Sequence, residues 1–153
     1  MDLDYKDFNI TLVENRKDEL YFDENDIVIV GVPTYAGRFP KLLQPYTEKI
    51  KGNNSLAVFV ATYGNRDYED SLLELKNIFE DNGFKTLAAS TFVTEHSSTS
   101  KLATKRPNAK DLSIAYDFGK KIKVKLDNLN DLNQLENIEV PGNFPYVVKN
   151  IAM

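Results

Sequence analysis

Continuous runs of apolar residues predict three buried β-strands, over Ile27–Val32, Leu56–Ala61 and Thr86–Val93. The first two runs are rich in β-branched side chains and do not alternate with polar residues, which is typical of strands covered on both faces of a sheet. A fourth segment, Phe8–Val13, alternates less regularly. We expect it to form a strand nearer the edge of the same sheet.

Apolar residues at helical spacing predict one helix over Asp67–Asn82 and a second from Ala109 to about Leu126. Gly83 follows the first helix at the position where a glycine commonly ends one. The apolar faces comprise Tyr68, Leu72, Leu75 and Phe79 in the first helix, and Leu112, Ala115, Ile122 and Leu126 in the second.

Two helix starts can also be read from the sequence. Asn108, with Asp111 three residues later, predicts a capped N-terminus for the second helix. A shorter helix is predicted to begin at Pro40 or Lys41 and to end at Lys51, since proline suits the first turn of a helix.

The alternation of strands and helices indicates parallel βαβ units. A chain of 153 residues has the length of one domain with its own apolar core, so we assign 1–153 to a single domain. Sheets of this kind bind ligands in the loops at the carboxyl ends of their strands. Those loops are therefore the first place to look for a site.

Composition excludes several classes of function. The chain has no cysteine, so it can hold neither a disulfide nor a cysteine-ligated metal or iron–sulfur cluster. A net charge of −4 argues against nucleic acid as a partner. The sequence shows neither a signal peptide nor an apolar run of about 20 residues that could span a membrane. We expect a cytoplasmic protein.

The loop after the first long apolar run, residues 31–40, has a proline near each end and an aromatic residue between them. Gly37 permits a close approach to a flat ligand, and Tyr35 would lie at the rim of the sheet. A rigid turn whose tyrosine packs on neighbouring helices explains the same residues equally well.

The next loop places Tyr63, Gly64 and Asn65 between a buried strand and a helix. An aromatic face and the backbone N–H groups at a helix start are what an isoalloxazine ring needs for stacking and for its carbonyl oxygens. Taken alone, Asn65 or Asp67 is better explained as a simple helix cap.

The third loop, residues 94–100, contains His96, the single histidine of the chain. No nucleophile elbow of the form G-x-S-x-G occurs, so the adjacent serines do not indicate a hydrolase, and no metal site is expected. The loop either lines the ligand cleft or is simply a polar surface loop. Arg38, Arg66 and Arg106 are candidate contacts for an anion, although exposed arginines are most often only solvated.

Four stretches carry a resemblance to a known family: GVPTYAGRFP (31–40), ATYGNRDYEDSLLEL (61–75), TEHSSTSKLATKRPNAKDL (94–112) and VPGNFPY (140–146). They resemble, in the same order, the flavodoxin domain of flavodoxin–ferredoxin fusion proteins. The resemblance implies a flavodoxin-like three-layer α/β/α fold with a parallel sheet. It also implies FMN as cofactor and electron transfer, rather than catalysis, as the task, with a redox protein such as a ferredoxin or a flavin reductase as partner.

The resemblance further implies which residues surround the flavin ring. One side of the ring would be lined by Pro33, Thr34, Tyr35, Ala36 and Gly37, and the other by Thr62, Tyr63, Gly64 and Asn65. The family's Glu-His-Ser loop matches Glu95, His96 and Ser97, which makes His96 a further candidate.

Two departures from the family pattern change the expectation. Without cysteine the chain can carry no iron–sulfur cluster. The family also begins with a strand, a phosphate-binding loop rich in glycine and threonine, and a helix, whereas Gly31 is the first glycine here and Phe8–Val13 matches the family's second strand. We therefore expect a truncated domain that lacks the first, central strand and the first helix. The alternative is a cofactor-free remnant or interaction domain, and an open sheet edge would favour self-association.

Overall fold

A computed structural model of the chain describes residues 4–148. The strands in that range are β1 (Leu20–Phe22), β2 (Ile27–Pro33), β3 (Ile50–Gly52), β4 (Leu56–Tyr63) and β5 (Lys85–Val93). The α-helices are α1 (Gln44–Thr47), α2 (Ser71–Asp81) and α3 (Ala109–Asp127). Short 3-10 helices lie at Val13–Arg16, Lys41–Leu43 and Leu132–Gln134.

The main sheet has the strand order β2-β4-β5, and both of its pairings are parallel. Along β2 the register runs from Ile27 opposite Leu56 to Pro33 opposite Thr62. Strands β1 and β3 form a separate parallel pair. The three strands predicted from the apolar runs are therefore confirmed, and so is an α/β architecture with parallel strands.

The two long helices cover opposite faces of the main sheet. Ala57 and Phe59 of β4 belong to the apolar cluster that contains the buried side chains of α2, whereas Val58 belongs to a second cluster with Ile122 of α3. Since successive side chains of a strand point to opposite faces, the two clusters lie on either side of β4.

Helix α2 begins at Ser71, four residues later than the apolar spacing predicts. Glu69 has a φ of 44°, which is outside the helical region, and Asp70 takes the N-cap position. The helix ends at Asp81, one residue before the predicted Asn82, and Gly83 follows with a φ of 93°. A side chain on Gly83 would overlap the carbonyl oxygen of Gly52, so this close approach requires glycine.

Helix α3 has the predicted cap. The side chain of Asn108 accepts a hydrogen bond from the Asp111 N–H at 3.3 Å, and the Asp111 carboxylate accepts one from the Asn108 N–H at 2.8 Å. Ile122 is buried as expected, but Leu112 is exposed. The prediction for Leu112 is wrong because the contacts of α3 with the sheet lie nearer its C-terminal half, at Ile122 and its neighbours.

The helix predicted from Pro40 or Lys41 to Lys51 is much shorter in the structure. A 3-10 turn over Lys41–Leu43 leads into the four residues of α1, and Ile50 then begins strand β3. Thr47 ends the helix with its hydroxyl bonded to the Gln44 carbonyl, and the Asn82 side chain donates to the Thr47 carbonyl oxygen. Both contacts satisfy backbone oxygens that a longer helix would have used.

The strand predicted over Phe8–Val13 is absent from the described structure. This segment turns at Ile10–Leu12 and enters a 3-10 helix at Val13. The Arg16 guanidinium donates to the carbonyl oxygens of Ile10 and Thr11 at 2.7 and 2.8 Å. These carbonyl oxygens are bonded by a side chain, whereas in a strand they would bond to a neighbouring strand. The prediction fails for this reason.

Strand β2 has no neighbour on its second side among residues 4–148. Ile27 and Ile29 are 43% and 68% exposed, whereas Val30 and Val32, which point to the α2 face, are buried. The prediction that this strand is covered on both faces is therefore wrong, although it is correct for β4. The sheet has an open, apolar edge.

Candidate functional site

The three loops singled out by the sequence meet at the carboxyl edge of the main sheet. The Thr34 N–H donates to the Thr62 carbonyl oxygen at 2.7 Å, which joins the first loop to the end of β4. The Thr94 N–H donates to the carbonyl oxygen of Tyr63, the last residue of β4, at 2.9 Å, which joins the third loop to the strand end where the second loop begins. The parallel ladder thus continues into the loops and fixes their spacing.

The first loop is a tight two-residue turn. Tyr35 and Arg38 exchange two backbone hydrogen bonds of 3.0 Å, and Ala36 and Gly37 between them have φ values of 52° and 80°. Two positive φ values in succession define a type I′ turn, for which glycine is preferred. A side chain on Gly37 would overlap the Glu69 carboxylate, so in this structure the glycine makes room for the protein's own side chain.

The second and third loops pack against each other through Gly64 and His96. The imidazole lies where a Gly64 side chain would stand. Its Nδ1 accepts a hydrogen bond from the Ser98 N–H at 3.1 Å, which fixes the orientation of the ring. The ring of Tyr63 meets that of Tyr68 edge to face, with 5.4 Å between the centroids.

The predicted ring-side residues differ in their exposure. The side chain of Tyr35 is 60% exposed and borders a cavity of about 350 Å³ between the first loop and Val147–Val148. Pro33, Ala36 and Asn65 are also exposed, whereas Gly37 is buried. The remaining predicted residues are half-buried: Thr34, Thr62, Tyr63, Gly64 and His96.

Several polar groups near the loops are already bonded within the protein. The hydroxyls of Thr34 and Ser71 lie 2.7 Å apart, within hydrogen-bond distance. The Arg38 guanidinium forms two hydrogen bonds with the Glu74 carboxylate, of 2.8 and 2.7 Å, and these raise the pKa of Arg38. Arg106 likewise pairs with Asp111. Two of the three candidate arginines are therefore neutralised by carboxylates.

Sequence reasoning missed Asp70 and Glu74, two buried carboxylates at the start of α2. Asp70 accepts hydrogen bonds from the N–H groups of Asn143 and Val147 at 2.8 and 2.7 Å, and a third from the Asn143 side chain. Burial raises the pKa of Asp70, but these hydrogen bonds and the charge of Arg38 outweigh it, so the net pKa is lowered. The carboxylate fastens the C-terminal segment to the first two loops.

The signal that could have revealed Asp70 is its position directly before an apolar helical stripe, where a capping residue is expected. Its partners could not have been found in this way, because Asn143 and Val147 are 73 and 77 residues away in the sequence. Nothing in the spacing of apolar residues links such distant positions.

Compared with known proteins, the chain matches no family model and no curated sequence. Among residues 4–148, no helix is long and apolar enough to cross a membrane. The same part of the chain contains no cluster of three or more acidic or histidine side chains that could hold a metal ion.

Proposed function

We propose that this chain is a flavodoxin-like domain that binds the isoalloxazine ring of FMN at the carboxyl edge of its sheet and serves in electron transfer. The observation that carries the proposal is the meeting of three loops at the carboxyl ends of the strands, with the exposed Tyr35 on the first loop, Tyr63 at the end of β4 directly before the second, and His96 on the third. A rigid edge with an accessible aromatic face suits a flat heteroaromatic ligand.

The side chains present fit the ring better than the phosphate of FMN. Both long helices begin beside a carboxylate, with Asp70 at the N-cap of α2 and Asp111 in the first turn of α3. The negative charges at these positions offset the positive end of each helix dipole that would attract a phosphate, and at α3 the Asn108 side chain already accepts hydrogen bonds from the N–H groups of Lys110 and Asp111. Arg38 and Arg106 are bonded to acidic partners. Within the described residues, the ring-side loops would therefore supply the binding.

The bound flavin would supply the redox chemistry, and the protein would hold and orient the ring for exchange with a redox partner. A ferredoxin or a flavin reductase of the cytoplasm is the class of partner that this role requires. Tyr35, being exposed, would lie on the side from which such a partner approaches.

Fluorescence titration of the full chain with FMN, and in parallel with riboflavin, tests the proposal. If the loops bind the ring and nothing binds the phosphate, both compounds are quenched, with dissociation constants within about twofold of each other. Riboflavin is the matched control because it has the same ring and ribityl chain without the phosphate. Quenching of neither compound at high protein concentration overturns the proposal.

A second function, that of a cofactor-free interaction domain, is favoured by a specific observation. The space left by Gly37 and by Gly64 is filled by the protein's own Glu69 and His96 rather than left open. A loop edge closed in this way needs no ligand to be stable. Absence of flavin binding, with cooperative unfolding of the purified chain, would favour this second function.

A further inference from the structure

The third loop of the candidate site, together with the start of α3, is basic in a chain that is acidic as a whole. Residues 96–110, which we call the basic segment, contain Lys101, Lys105, Arg106 and Lys110 and no aspartate or glutamate, whereas the whole chain has a net charge of −4. The excess of acidic residues therefore lies outside this segment. Such a separation of charge gives a surface that attracts a partner of opposite sign.

The three lysines of the basic segment are not neutralised by the protein. Lys101, Lys105 and Lys110 are exposed, and none of them forms a salt bridge among residues 4–148. Arg106 differs, because its guanidinium is paired with the Asp111 carboxylate. Leu102, which is 37% exposed, adds an apolar side chain next to Lys101. Apolar contact area within a charged rim is typical of a protein interface.

The basic segment has a fixed shape. The Glu95 N–H donates to the Arg106 carbonyl oxygen at 2.9 Å, and the Arg106 N–H donates to the Ala103 carbonyl oxygen at 3.0 Å. The Glu95 carboxylate accepts from the Lys105 N–H at 2.8 Å. Ala103 and Lys105 have φ values of 52° and 58°, a strained conformation that residues with a side chain adopt mostly at functional sites. The lysines are therefore presented on a backbone that is already ordered.

The basic segment adjoins the proposed flavin site. His96 belongs to both, because its N–H donates to the Leu102 carbonyl oxygen at 3.3 Å and its ring packs on Gly64. The second loop adds Arg66, which is exposed and forms no salt bridge in the described part of the chain. Since the three loops share one edge of the sheet, a protein bound to the basic segment would lie against the edge that carries Tyr35.

We propose that the basic segment is the docking surface for a redox protein whose contact face is acidic. The negative charge of the partner follows from the lysines alone, whereas its redox role rests on the proposed flavin site. For each electron exchanged, the partner's redox centre and the flavin change oxidation state by one in opposite directions. Exposed ammonium groups attract carboxylates over a distance and speed the encounter without holding the complex together for long, which suits electron transfer.

Two other anionic occupants, a nucleic acid and a membrane, fit this surface less well. Each spreads its charge over an area larger than one loop, so it would also meet the exposed carboxylates of Asp67, on the second loop, and of Glu95, directly before the segment. Phosphate groups are best held by an arginine fork, and the fork of Arg106 is already paired with Asp111. A compact acidic patch on a protein avoids both difficulties.

The test uses the full chain without flavin and, as probe, a fluorescently labelled small acidic iron–sulfur protein. We expect a saturable rise in anisotropy at low salt, and a dissociation constant that increases by about tenfold or more between roughly 20 and 200 mM salt. In nuclear magnetic resonance spectra the amide signals of residues 96–110 should shift on binding. Those of β1 and β3 should not.

Paired substitutions make the test specific to the basic segment. Lys101→Glu with Lys105→Glu should raise the dissociation constant by about tenfold or more, and Lys101→Arg with Lys105→Arg, which keeps the charge, should leave it within about threefold. Lys17→Glu with Lys51→Glu is the matched control, because it changes the net charge equally at two exposed lysines outside the segment. It should bind within about twofold of the native chain.

Absence of saturable binding, or equal weakening by the two pairs of glutamate substitutions, overturns the inference. Tighter binding of a single-stranded oligonucleotide or of phosphatidylserine vesicles, lost in Lys101→Glu with Lys105→Glu, also overturns it and assigns the surface to that anion. Because the probe is tested without flavin, this result is separate from the flavin titration. Quenching of FMN without binding of the acidic protein would overturn the docking surface alone, and the reverse would overturn the flavin site alone.

Discussion

At the scale of single residues, three side chains matter most where the loops meet. The buried carboxylates of Asp70 and Glu74 bond to neighbouring segments, and Tyr35 is exposed to solvent. Tyr35 and Tyr63 could be located from the sequence, because each follows an apolar run and a strand end is where a loop begins. Asp70 and Glu74 could not be assigned their roles, because their partners come from distant parts of the chain. The pattern of apolar residues predicts where a strand ends. It does not predict which distant residues form hydrogen bonds with each other, because those contacts depend on tertiary packing.

The first prediction concerns Asp70. We expect Asp70→Asn to lower the free energy of unfolding at neutral pH by about 1–3 kcal/mol, because a buried carboxylate that accepts three hydrogen bonds is lost. Since the folded pKa of Asp70 is lowered, its contribution is complete above the unfolded value of about 3.9 and is lost as the pH falls through the folded pKa.

Urea unfolding at neutral pH and at successively lower pH values measures this effect. The difference between the native chain and the variant should shrink as the solution becomes acidic. Asp117→Asn, at an exposed position on α3, is the control and should change stability by less than about 0.5 kcal/mol. A difference that is constant with pH would contradict the assignment.

The second prediction concerns Gly37. Gly37→Ala should destabilise the first loop by about 1 kcal/mol or more, because φ at this position is 80° and the new methyl group would overlap the Glu69 carboxylate. Gly119→Ala is the matched control, since a side chain there meets no atom within 4 Å and alanine favours the helix. Thermal unfolding should show a lower midpoint for the first variant and an unchanged or higher midpoint for the second.

Whole elements were predicted well where the apolar pattern is continuous and poorly where local side chains compete with it. The strands β2, β4 and β5 and the helices α2 and α3 follow from the sequence because their apolar runs are long. The segment Phe8–Val13 fails because the side chains of Asn15 and Arg16 bond to its backbone. The apolar pattern also could not show that β2 is an edge strand, because that depends on whether another strand pairs with its second side.

The third prediction concerns the start of α3. We expect Asn108→Ala to cost about 1 kcal/mol, because the Asn108 side chain accepts hydrogen bonds from the N–H groups of Lys110 and Asp111. Denaturant unfolding gives the change, and faster amide exchange in the first turn of α3 would locate it. Asn130→Ala, at an exposed position beyond the helix, serves as control. Equal stability of the two variants would show that the cap contributes nothing.

At the scale of the whole molecule, the described residues form a main parallel sheet with one long helix on each face and a separate pair of strands, β1 and β3. Strand β2 is exposed on one face and has no neighbour along its second side. The α/β class was evident from the sequence because helices and strands alternate. The flavodoxin-like arrangement and the binding of FMN remain predictions. They rest on the three loops, which the structure brings together at the carboxyl ends of the strands. Because we expect the loops to bind the isoalloxazine ring and not the phosphate, riboflavin and FMN should bind with similar affinity.

The most direct test of the central claim is FMN fluorescence titration of Tyr35→Ala beside Tyr21→Ala. The tyrosines are similarly accessible, at 60% and 70% exposure, but Tyr21 lies in β1, away from the joined loops. If Tyr35 forms one side of the ring site, its loss should weaken FMN binding by about tenfold, whereas Tyr21→Ala should bind like the native chain. Equal affinities of both variants and the native chain, or no quenching by any of them, would contradict the account.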